Sequence, residues 1–245
     1  GAMGRFFEKA LCANNVEPRF FRSATATGRV LSIITPDGER SMFTFLGAAA
    51  ETRPEDMGEE LFENAAVVHV EGYILFNPDL MRKVVIAATS AGARVSLDLA
   101  SFNVVQEARG LLAAIVKEYV DILIANEDEA RAYTGETEPL LAVQALGREV
   151  DIAALTLGAH GSLIVRDGRI VVVPPAGDGR PAVDTTGAGD LWAAGFLYGL
   201  VEGYPLEKCG ELGSACGYEV CQVVGASIPD DGWQRIRKIL EKTGK

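Results

Sequence analysis

Between residues 66 and 173, short apolar segments alternate with longer segments in which apolar residues recur at the spacing of an α-helix. The apolar segments, interpreted as buried strands, are 66–70, 94–99, 122–125 and 152–157. The segments predicted as helices between them are 77–91, 105–118, 127–134 and 138–148. Strands that alternate with helices form βαβ units, whose parallel sheet is covered by helices on both faces. The sequence therefore predicts a three-layer α/β/α fold with a mainly parallel central sheet.

Two pairs of short strands lie outside this alternation. Residues 29–46 have the pattern of a β-hairpin around the turn Pro36-Asp37-Gly38, and we expect 17–47 to contribute to a small β lid. A second pair, 162–166 and 169–173, follows the last strand of the alternation. These strands predict antiparallel additions to a mainly parallel fold.

Further helices are predicted on either side of the alternating region. Residues Thr52 to Glu55 match a capping box with a proline in the first turn, which predicts that a helix begins there. The pattern after Gly189 is helical over 189–202, 206–223 and 230–242.

Composition limits the classes of function. The 245 residues suffice for one large α/β domain or two small ones, and we expect a single domain over 1–245. With 23 basic and 34 acidic residues, the formal net charge is −11. Such a surface repels nucleic-acid phosphates and anionic lipids, so neither nucleic acid nor a membrane is an expected partner. Any phosphate chemistry must therefore depend on local backbone amides and a metal ion.

The sequence also indicates a compartment. No segment approaches the roughly 20 apolar residues that cross a bilayer. Glu8 and Lys9 interrupt the opening, which therefore does not resemble a secretion signal. The four cysteines form no CxxC pair, so we expect reduced thiols and a cytoplasmic protein. With two histidines in the chain, a histidine-built metal site or a Ser-His-Asp triad is not expected.

The strongest chemical signal is a run of small residues followed by an acid. Gly187, Ala188 and Gly189 offer backbone amides where a helix is predicted to begin, and Asp190 follows them. A helix start carries about half a positive charge, so amides at this point form an anion hole. A carboxylate beside a bound phosphate is repelled by it. Its presence at this position therefore indicates a chemical role, such as accepting a proton from an attacking hydroxyl.

Two other interpretations of this run remain open at this stage. It matches an ordinary loop and helix cap in which Asp190 is a first-turn acid. The other interpretation takes Gly187 and Gly189 as the first glycines of G-x-G-x-x-A, a dinucleotide-binding pattern that requires a preceding apolar strand, where this chain has Asp-Thr-Thr. A Walker A sequence is absent.

Two further motifs follow predicted strands, at the sheet edge where ligands bind in open α/β folds. Asn126 and Glu129 come after the third strand, and Thr156, Gly158 and Gly161 come at the end of the fourth. Each residue also has a purely structural interpretation: Asn126 as a turn residue or N-cap, Glu129 as a solvated first-turn acid, Thr156 as a strand former and the two glycines as turn residues. Asp98 ends another strand, and substrate contact and helix capping are equally compatible with it.

Together these motifs resemble the ribokinase-like (PfkB) carbohydrate and nucleoside kinases. The run from Asp184 to Asp190 resembles the second signature of that family. Residues 126–129 resemble its N-x-x-E motif, and 156–161 its T-x-G-x-x-G nucleotide loop, in the family's order. The resemblance extends from about Gly4 to Lys245, and 27–47 is most similar to the adenosine-kinase branch.

The resemblance implies transfer of the γ-phosphoryl group of ATP to a hydroxymethyl group of a sugar or nucleoside. Asp190 would be the catalytic base, and Gly187, Ala188 and Gly189 would stabilise the transferred group. The remaining roles are assigned to the other motifs: Mg²⁺ organised by Asn126 and Glu129, and an ATP site lined by Thr156, Gly158 and Gly161.

Three further assignments follow from the resemblance. Asp184 and Thr186 would lie where many members bind K⁺. Ser214, with Cys216 and Tyr218, would approach the adenine, unless these residues are helix core. A homodimer is compatible with the family.

The chain departs from the family pattern at its start. Family members open with a strand, a residue that contacts the sugar and a Gly-Gly signature, none of which precedes Gly4. We therefore expect much of the acceptor pocket to lie outside this sequence and a sheet edge to be exposed. Two alternative functions stay open: a non-catalytic nucleotide-binding or regulatory protein, and a dinucleotide-dependent oxidoreductase.

Overall fold

The computed structural model describes residues 1–34 and 40–241. The chain divides into two compact units, Gly1–Met57 and Gly58–Lys245, and each is described by itself. The turn predicted at Pro36-Asp37-Gly38 lies outside the described residues. The assignment of one kinase domain over 1–245, with 17–47 as part of a lid, stays a prediction.

The first unit contains a helix and a hairpin. Helix α1 (Ala2–Ala13) has no buried residue and was not expected from the sequence. Strands β1 (Arg29–Ile34) and β2 (Arg40–Phe45) pair antiparallel, as predicted. Their described apolar side chains are largely exposed; Leu31 and Phe43, which are register partners, are 63% and 62% accessible.

The helix predicted to begin at Thr52 is wrong. A single 3₁₀ turn, Pro54–Asp56, forms there, and the Asp56 carboxylate accepts a hydrogen bond from the Arg53 amide at 3.1 Å. The capping box that forms pairs Arg53 with Asp56 rather than Thr52 with Glu55. Met57 (φ −103°, ψ 86°) ends the helical turn.

The second unit is built on a six-stranded sheet in the order β3-β4-β5-β6-β7-β8. The first four strands are parallel and the last two are antiparallel additions, as predicted. The strands are β3 (Val67–Glu71), β4 (Arg94–Asp98), β5 (Ile122–Asn126), β6 (Ile152–Thr156), β7 (Ser162–Arg166) and β8 (Arg169–Val173).

Helices cover both faces of this sheet. They are α2 (Pro78–Ser90), α3 (Phe102–Glu107), α4 (Arg109–Tyr119), α5 (Glu127–Thr134), α6 (Pro139–Leu146), α7 (Ala188–Val201), α8 (Leu206–Val220) and α9 (Asp230–Glu241). Ile122 and Ile124 of β5 pack with Phe196 of α7 on one face. Helices α2 and α6 pack on β4 and β6. The predicted three-layer α/β/α fold is thus confirmed, and the helix predicted at 105–118 is divided into α3 and α4 at Ala108.

Helices α7 and α8 approach each other closely because small residues lie between them. A Cβ atom added to Gly195 would meet the Leu212 carbonyl oxygen at 2.7 Å, and one added to Gly199 would meet the Cys209 Cα at 2.9 Å. The backbones of the two helices are therefore in close contact at both positions.

Strand β3 lies at the edge of the described sheet, where it pairs with β4 alone. Its alternate residues Val68 and Val70 are buried, whereas His69 and Glu71 are exposed. Elsewhere in this unit, Tyr198 and Val201 of α7 are 47% and 52% accessible. In the described part of the chain, no helix has the length and apolar character needed to span a membrane.

Candidate active site

The first turn of α7 has the geometry of an anion-binding site. Gly187 caps the helix in the left-handed region (φ +77°), and a Cβ atom there would lie 2.8 Å from the Ala226 Cβ. The Ala188 amide donates to the Thr185 carbonyl oxygen at 3.2 Å. Around Gly189 there is open space, because an added Cβ would meet nothing within 4 Å. The first amides of a helix have no intrahelical acceptor, so this turn presents N–H groups to an open, exposed position.

Asp190 follows in the same turn and is exposed. Its charge acts on Asp98 at the end of β4 and contributes to raising the pKa of that carboxyl. The start of α7 therefore lies at the carboxyl ends of the parallel strands, where ligands bind in open α/β sheets.

Asp184 holds the loop before α7. Its carboxylate is buried, and Oδ1 accepts from the Thr186 amide at 2.9 Å and from the Thr186 hydroxyl at 2.6 Å. The other oxygen, Oδ2, accepts from the Gly225 amide at 2.8 Å. Asp184 thus joins the segment before α7 to the segment that follows α8.

Asn126 and Glu129 form a reciprocal cap at the start of α5. The Asn126 Oδ1 accepts from the Glu129 amide at 3.0 Å, and the Glu129 carboxylate accepts from the Asn126 amide at 2.8 Å and from Nδ2 at 2.7 Å. Asn126 is thus the N-cap of a capping box, as its structural interpretation expected, whereas Glu129 is buried and is not the solvated first-turn acid of that interpretation. The same cap fixes a buried carboxylate at the end of β5.

That carboxylate belongs to a group of acids along the strand ends. Burial, followed by the charges of Asp98 and Glu71, raises the pKa of Glu129 to about 7 despite its hydrogen bonds to Asn126. Burial likewise raises the pKa of Asp98 to about 6, with further contributions from Glu71 and Asp190. Concentrated negative charge of this kind favours a bound cation.

Within residues 1–34 and 40–241, no three acidic, histidine or cysteine side chains are arranged to enclose a metal ion. A fully protein-made cage is therefore absent there. Mg²⁺ binds through one or two carboxylates and keeps several waters, so it fits this donor set better than a cation that requires many protein ligands.

The segment after β6 contains two glycines with different environments. Gly161 has φ +91°, and an added Cβ would lie 2.1 Å from the Val173 carbonyl oxygen, so the close approach of β8 requires glycine there. Gly158 has φ +52° and no atom within 4 Å of an added Cβ. Thr156 donates from Oγ1 to the Ala125 carbonyl oxygen at 3.4 Å. The exposed side of Gly158 is thus the part of this loop that is free for a ligand.

Ser214 lines a cavity of about 400 Å³ between α8, α9 and the segment after β8. Its Oγ is buried and has no hydrogen-bond partner among the described residues. The wall opposite Ser214 consists of residues 174–177.

The structure brings Asp190, Glu129 and Asp98 to one end of the sheet. Sequence reasoning left Asp98 undecided and missed Glu71. The signal that could have found Glu71 is its register, because it pairs with Asp98 at the ends of adjacent parallel strands. His69 adds a polar contact here, with Nδ1 at 3.1 Å from the Ser96 Oγ and Nε2 at 3.3 Å from the Glu71 Oε1.

The dinucleotide interpretation of Gly187 and Gly189 does not fit, because Trp192 occupies the last position of the pattern and because no strand directly precedes it among the described residues. That pattern requires a strand directly before its first glycine. Here β8 ends at Val173, and the described segment from there to the start of α7 contains no strand.

Comparisons with known proteins agree with this architecture. The adenosine kinase from Sinorhizobium meliloti is 32% identical and superposes with a TM-score of 0.90 over 97% of this chain and 74% of that one. A ribokinase II from E. coli, solved with ATP and Mg²⁺, is 19% identical with a TM-score of 0.85 over 99% of this chain and 80% of that one, a likeness of fold alone.

A curated relative, the ribokinase of Arabidopsis thaliana, is 30% identical over 83% of this chain. The match covers 55% of that relative, so the chain spans about half its length. The family model described as pfkB family carbohydrate kinase matches residues 1–232. The chain therefore belongs to the pfkB family of carbohydrate kinases.

Proposed function

We propose that this protein transfers the γ-phosphoryl group of ATP to a primary hydroxyl of a sugar or nucleoside. The observation that carries the proposal is the first turn of α7, where Gly189 and Asp190 are both exposed at a helix start beside the strand ends. An anion site with a carboxylate at its rim suits a reaction that needs both a bound phosphoryl group and a base.

In this reaction the acceptor oxygen attacks the γ-phosphorus while the bond to the β,γ-bridging oxygen breaks, which releases ADP. Asp190 takes the proton of the acceptor hydroxyl. The amides of Gly187 and Gly189 stabilise the charge on the moving phosphoryl group, and the Ala188 amide, which donates to Thr185, would have to exchange that bond to join them. Because the transition state is loose, positioning and electrostatics supply most of the catalysis, and a weak base is sufficient.

Glu129 and Asn126 would hold Mg²⁺, mainly through bound waters. When bound, Mg²⁺ neutralises charge on the nucleotide phosphates. The raised pKa of Glu129 supports this role. Its carboxylate is buried beside other acids, and the hydrogen bonds from Asn126 do not fully offset these two unfavourable effects. The capping hydrogen bonds from Asn126 orient the carboxylate whether or not the metal is present.

Thr156, Gly158 and Gly161 would line the nucleotide site, with Gly158 as the residue that leaves room for the ligand. Ser214 would face the nucleotide base. Asp184 and Thr186 are our candidates for a K⁺ site, since a buried carboxylate favours a nearby cation. The similarity to the adenosine kinase of S. meliloti and the ribokinase of A. thaliana supports a nucleoside or pentose as acceptor.

The test is an acceptor screen with ATP and Mg²⁺. ADP release would be measured with adenosine, ribose and fructose, and the product ester would be identified by mass spectrometry. The proposal expects release that depends on one acceptor and stops when Mg²⁺ is chelated. ATP binding without turnover of any hydroxyl compound would favour a non-catalytic nucleotide-binding protein. Tight NAD binding with no response to ATP would favour an oxidoreductase.

A further inference from the structure

The segment that follows β8 forms one wall of the cavity beside Ser214. We call residues 174–182 the cavity loop. Its first part, Pro174 to Gly177, faces α8, and Ile239 of α9 contributes to the lining. The position of this loop therefore sets the width of the cavity.

The cavity loop is fixed at both of its ends. At its beginning, Gly161 lies against Pro174 and Pro175, whose nearest atoms are 2.9 Å from the position of an added Cβ. Just past its end, the Val183 amide donates to the Cys221 carbonyl oxygen at 2.8 Å. The middle of the loop contains exposed residues, so its position depends on a separate contact.

Tyr218 provides that contact. Its hydroxyl donates to the Asp178 Oδ1 and accepts from the Asp178 amide at 3.4 Å. Gly177, with φ +88°, lies so close to the phenol ring that an added Cβ would be 2.1 Å from its Cζ atom. The loop thus rests on the ring and is tied to its hydroxyl.

Arg180 completes the contact from the other side of Asp178. Its Nε donates to the two carboxylate oxygens of Asp178 at 2.9 Å and 3.1 Å, and its guanidinium lies 5.9 Å from the centre of the Tyr218 ring. Hydrogen bonds from Tyr218 and Arg180 lower the pKa of Asp178, which therefore stays ionised. An exposed ion pair alone contributes little to stability. The loop position is therefore defined by the contacts of Gly177, Asp178 and Arg180 with the Tyr218 phenol.

Helix α8 connects this contact to the cavity. Tyr218 follows Ser214 by four residues, so both side chains project from the same face of the helix. One rigid element therefore carries the wall that contains Ser214 and the residue that fixes the opposite wall.

We infer that Tyr218 is a positioning residue for the donor nucleotide, because it holds the cavity loop at the separation from Ser214 that a nucleotide base requires. This inference rests on the proposed ATP-dependent function. A loop held in place before binding reduces the entropy lost when the nucleotide enters. If the Tyr218 hydroxyl is removed, only a fraction of the molecules hold the loop in the position that binds nucleotide. The apparent dissociation constant for ATP is then the intrinsic one divided by that fraction.

The test compares Tyr218→Phe with Tyr119→Phe. Tyr119 also donates its hydroxyl to a carboxylate, that of Glu118, but it ends α4, outside the cavity lining. ATP affinity with Mg²⁺ would be measured by calorimetry, and hydrogen exchange would be followed at the amides of residues 177–180 and 182 without nucleotide. We expect Tyr218→Phe to weaken ATP binding about tenfold, the effect of one hydrogen bond to a charged group. We also expect faster exchange in the loop and, where turnover is measured, a raised KM for ATP with kcat changed by less than about twofold.

Asp178→Ala gives a second measurement, because Asp178 is exposed and its removal leaves the packed surface of α8 intact. It should weaken ATP binding to a similar extent, whereas Tyr119→Phe should not. Equal ATP affinity in the wild type, Tyr218→Phe and Asp178→Ala would overturn the inference and leave the proposed function standing. Absence of ATP binding in the wild-type protein would instead overturn the proposed function.

Discussion

The carboxylate of Asp184 accepts a hydrogen bond from the amide of Gly225 at 2.8 Å, across 41 residues of sequence. The same buried side chain accepts two hydrogen bonds from Thr186. One residue therefore fixes the approach to the first turn of α7 relative to the segment after α8. The geometry of the proposed anion site depends on this bridge.

We predict that Asp184→Ala lowers the free energy of unfolding by about 2–4 kcal/mol, because it leaves two amides and a hydroxyl without their charged acceptor. Urea denaturation followed by circular dichroism measures the change. Asp128→Ala is a suitable control, since this aspartate is exposed. A loss below about 0.5 kcal/mol, which is typical of surface substitutions, would contradict the bridging role.

A pH dependence of stability follows from Asp98. Its pKa is raised from 3.8 in the unfolded chain to about 6 in the folded protein, chiefly by burial. The folded state therefore binds the proton more tightly, and stability decreases as pH rises from about 4 to 6. Above about pH 6, Asp98 is ionised in both the folded and the unfolded state, and the cost of burying its charge lowers the stability by its full amount.

Asp98→Asn removes this penalty and keeps an oxygen to accept from the Ala100 amide, which lies 2.8 Å from Oδ1. Without Mg²⁺, we expect the variant to be more stable than the wild type by about 1–3 kcal/mol at pH 8, with a smaller difference at pH 4.5. Urea denaturation at both pH values measures it. The exposed Asp128→Asn should give no such gain, and a difference for Asp98→Asn that is the same at both pH values would argue against a buried charge.

The two glycines after β6 should respond differently to alanine. Gly161→Ala places a Cβ against the Val173 carbonyl oxygen in left-handed backbone, so we expect a loss of about 2–4 kcal/mol of stability. Gly158→Ala meets no neighbouring atom and should cost only the backbone strain of about 1 kcal/mol. Its main effect should be weaker ATP binding, measured by calorimetry. Unchanged ATP affinity in Gly158→Ala would remove this loop from the nucleotide site.

The sequence predicted the strand–helix alternation because buried strands and amphipathic helices leave different periodicities. It also located the turn at Gly187, where only a residue that tolerates positive φ begins α7 well. The helix expected at Thr52 failed because a capping pattern was visible in the sequence, whereas the non-helical conformation of Met57 (φ −103°, ψ 86°), which ends the turn, was not.

The acidic group at the strand ends was harder to foresee. Glu71 and Asp98 are 27 residues apart and become neighbours only through the register of β3 and β4. The contact between Tyr218 and Asp178 likewise joins two segments that no local pattern connects. Residues that act through tertiary pairing therefore required the structure.

The most direct test of the proposed reaction is Asp190→Asn, measured with the acceptor that the screen identifies. The variant keeps the size of the side chain and the helix start but cannot accept the hydroxyl proton. We predict that kcat falls by about 10²–10⁴ while the dissociation constant for ATP stays within about twofold of the wild type. An Asp190→Asn protein that turns over at the wild-type rate would contradict the assignment of Asp190 as the base.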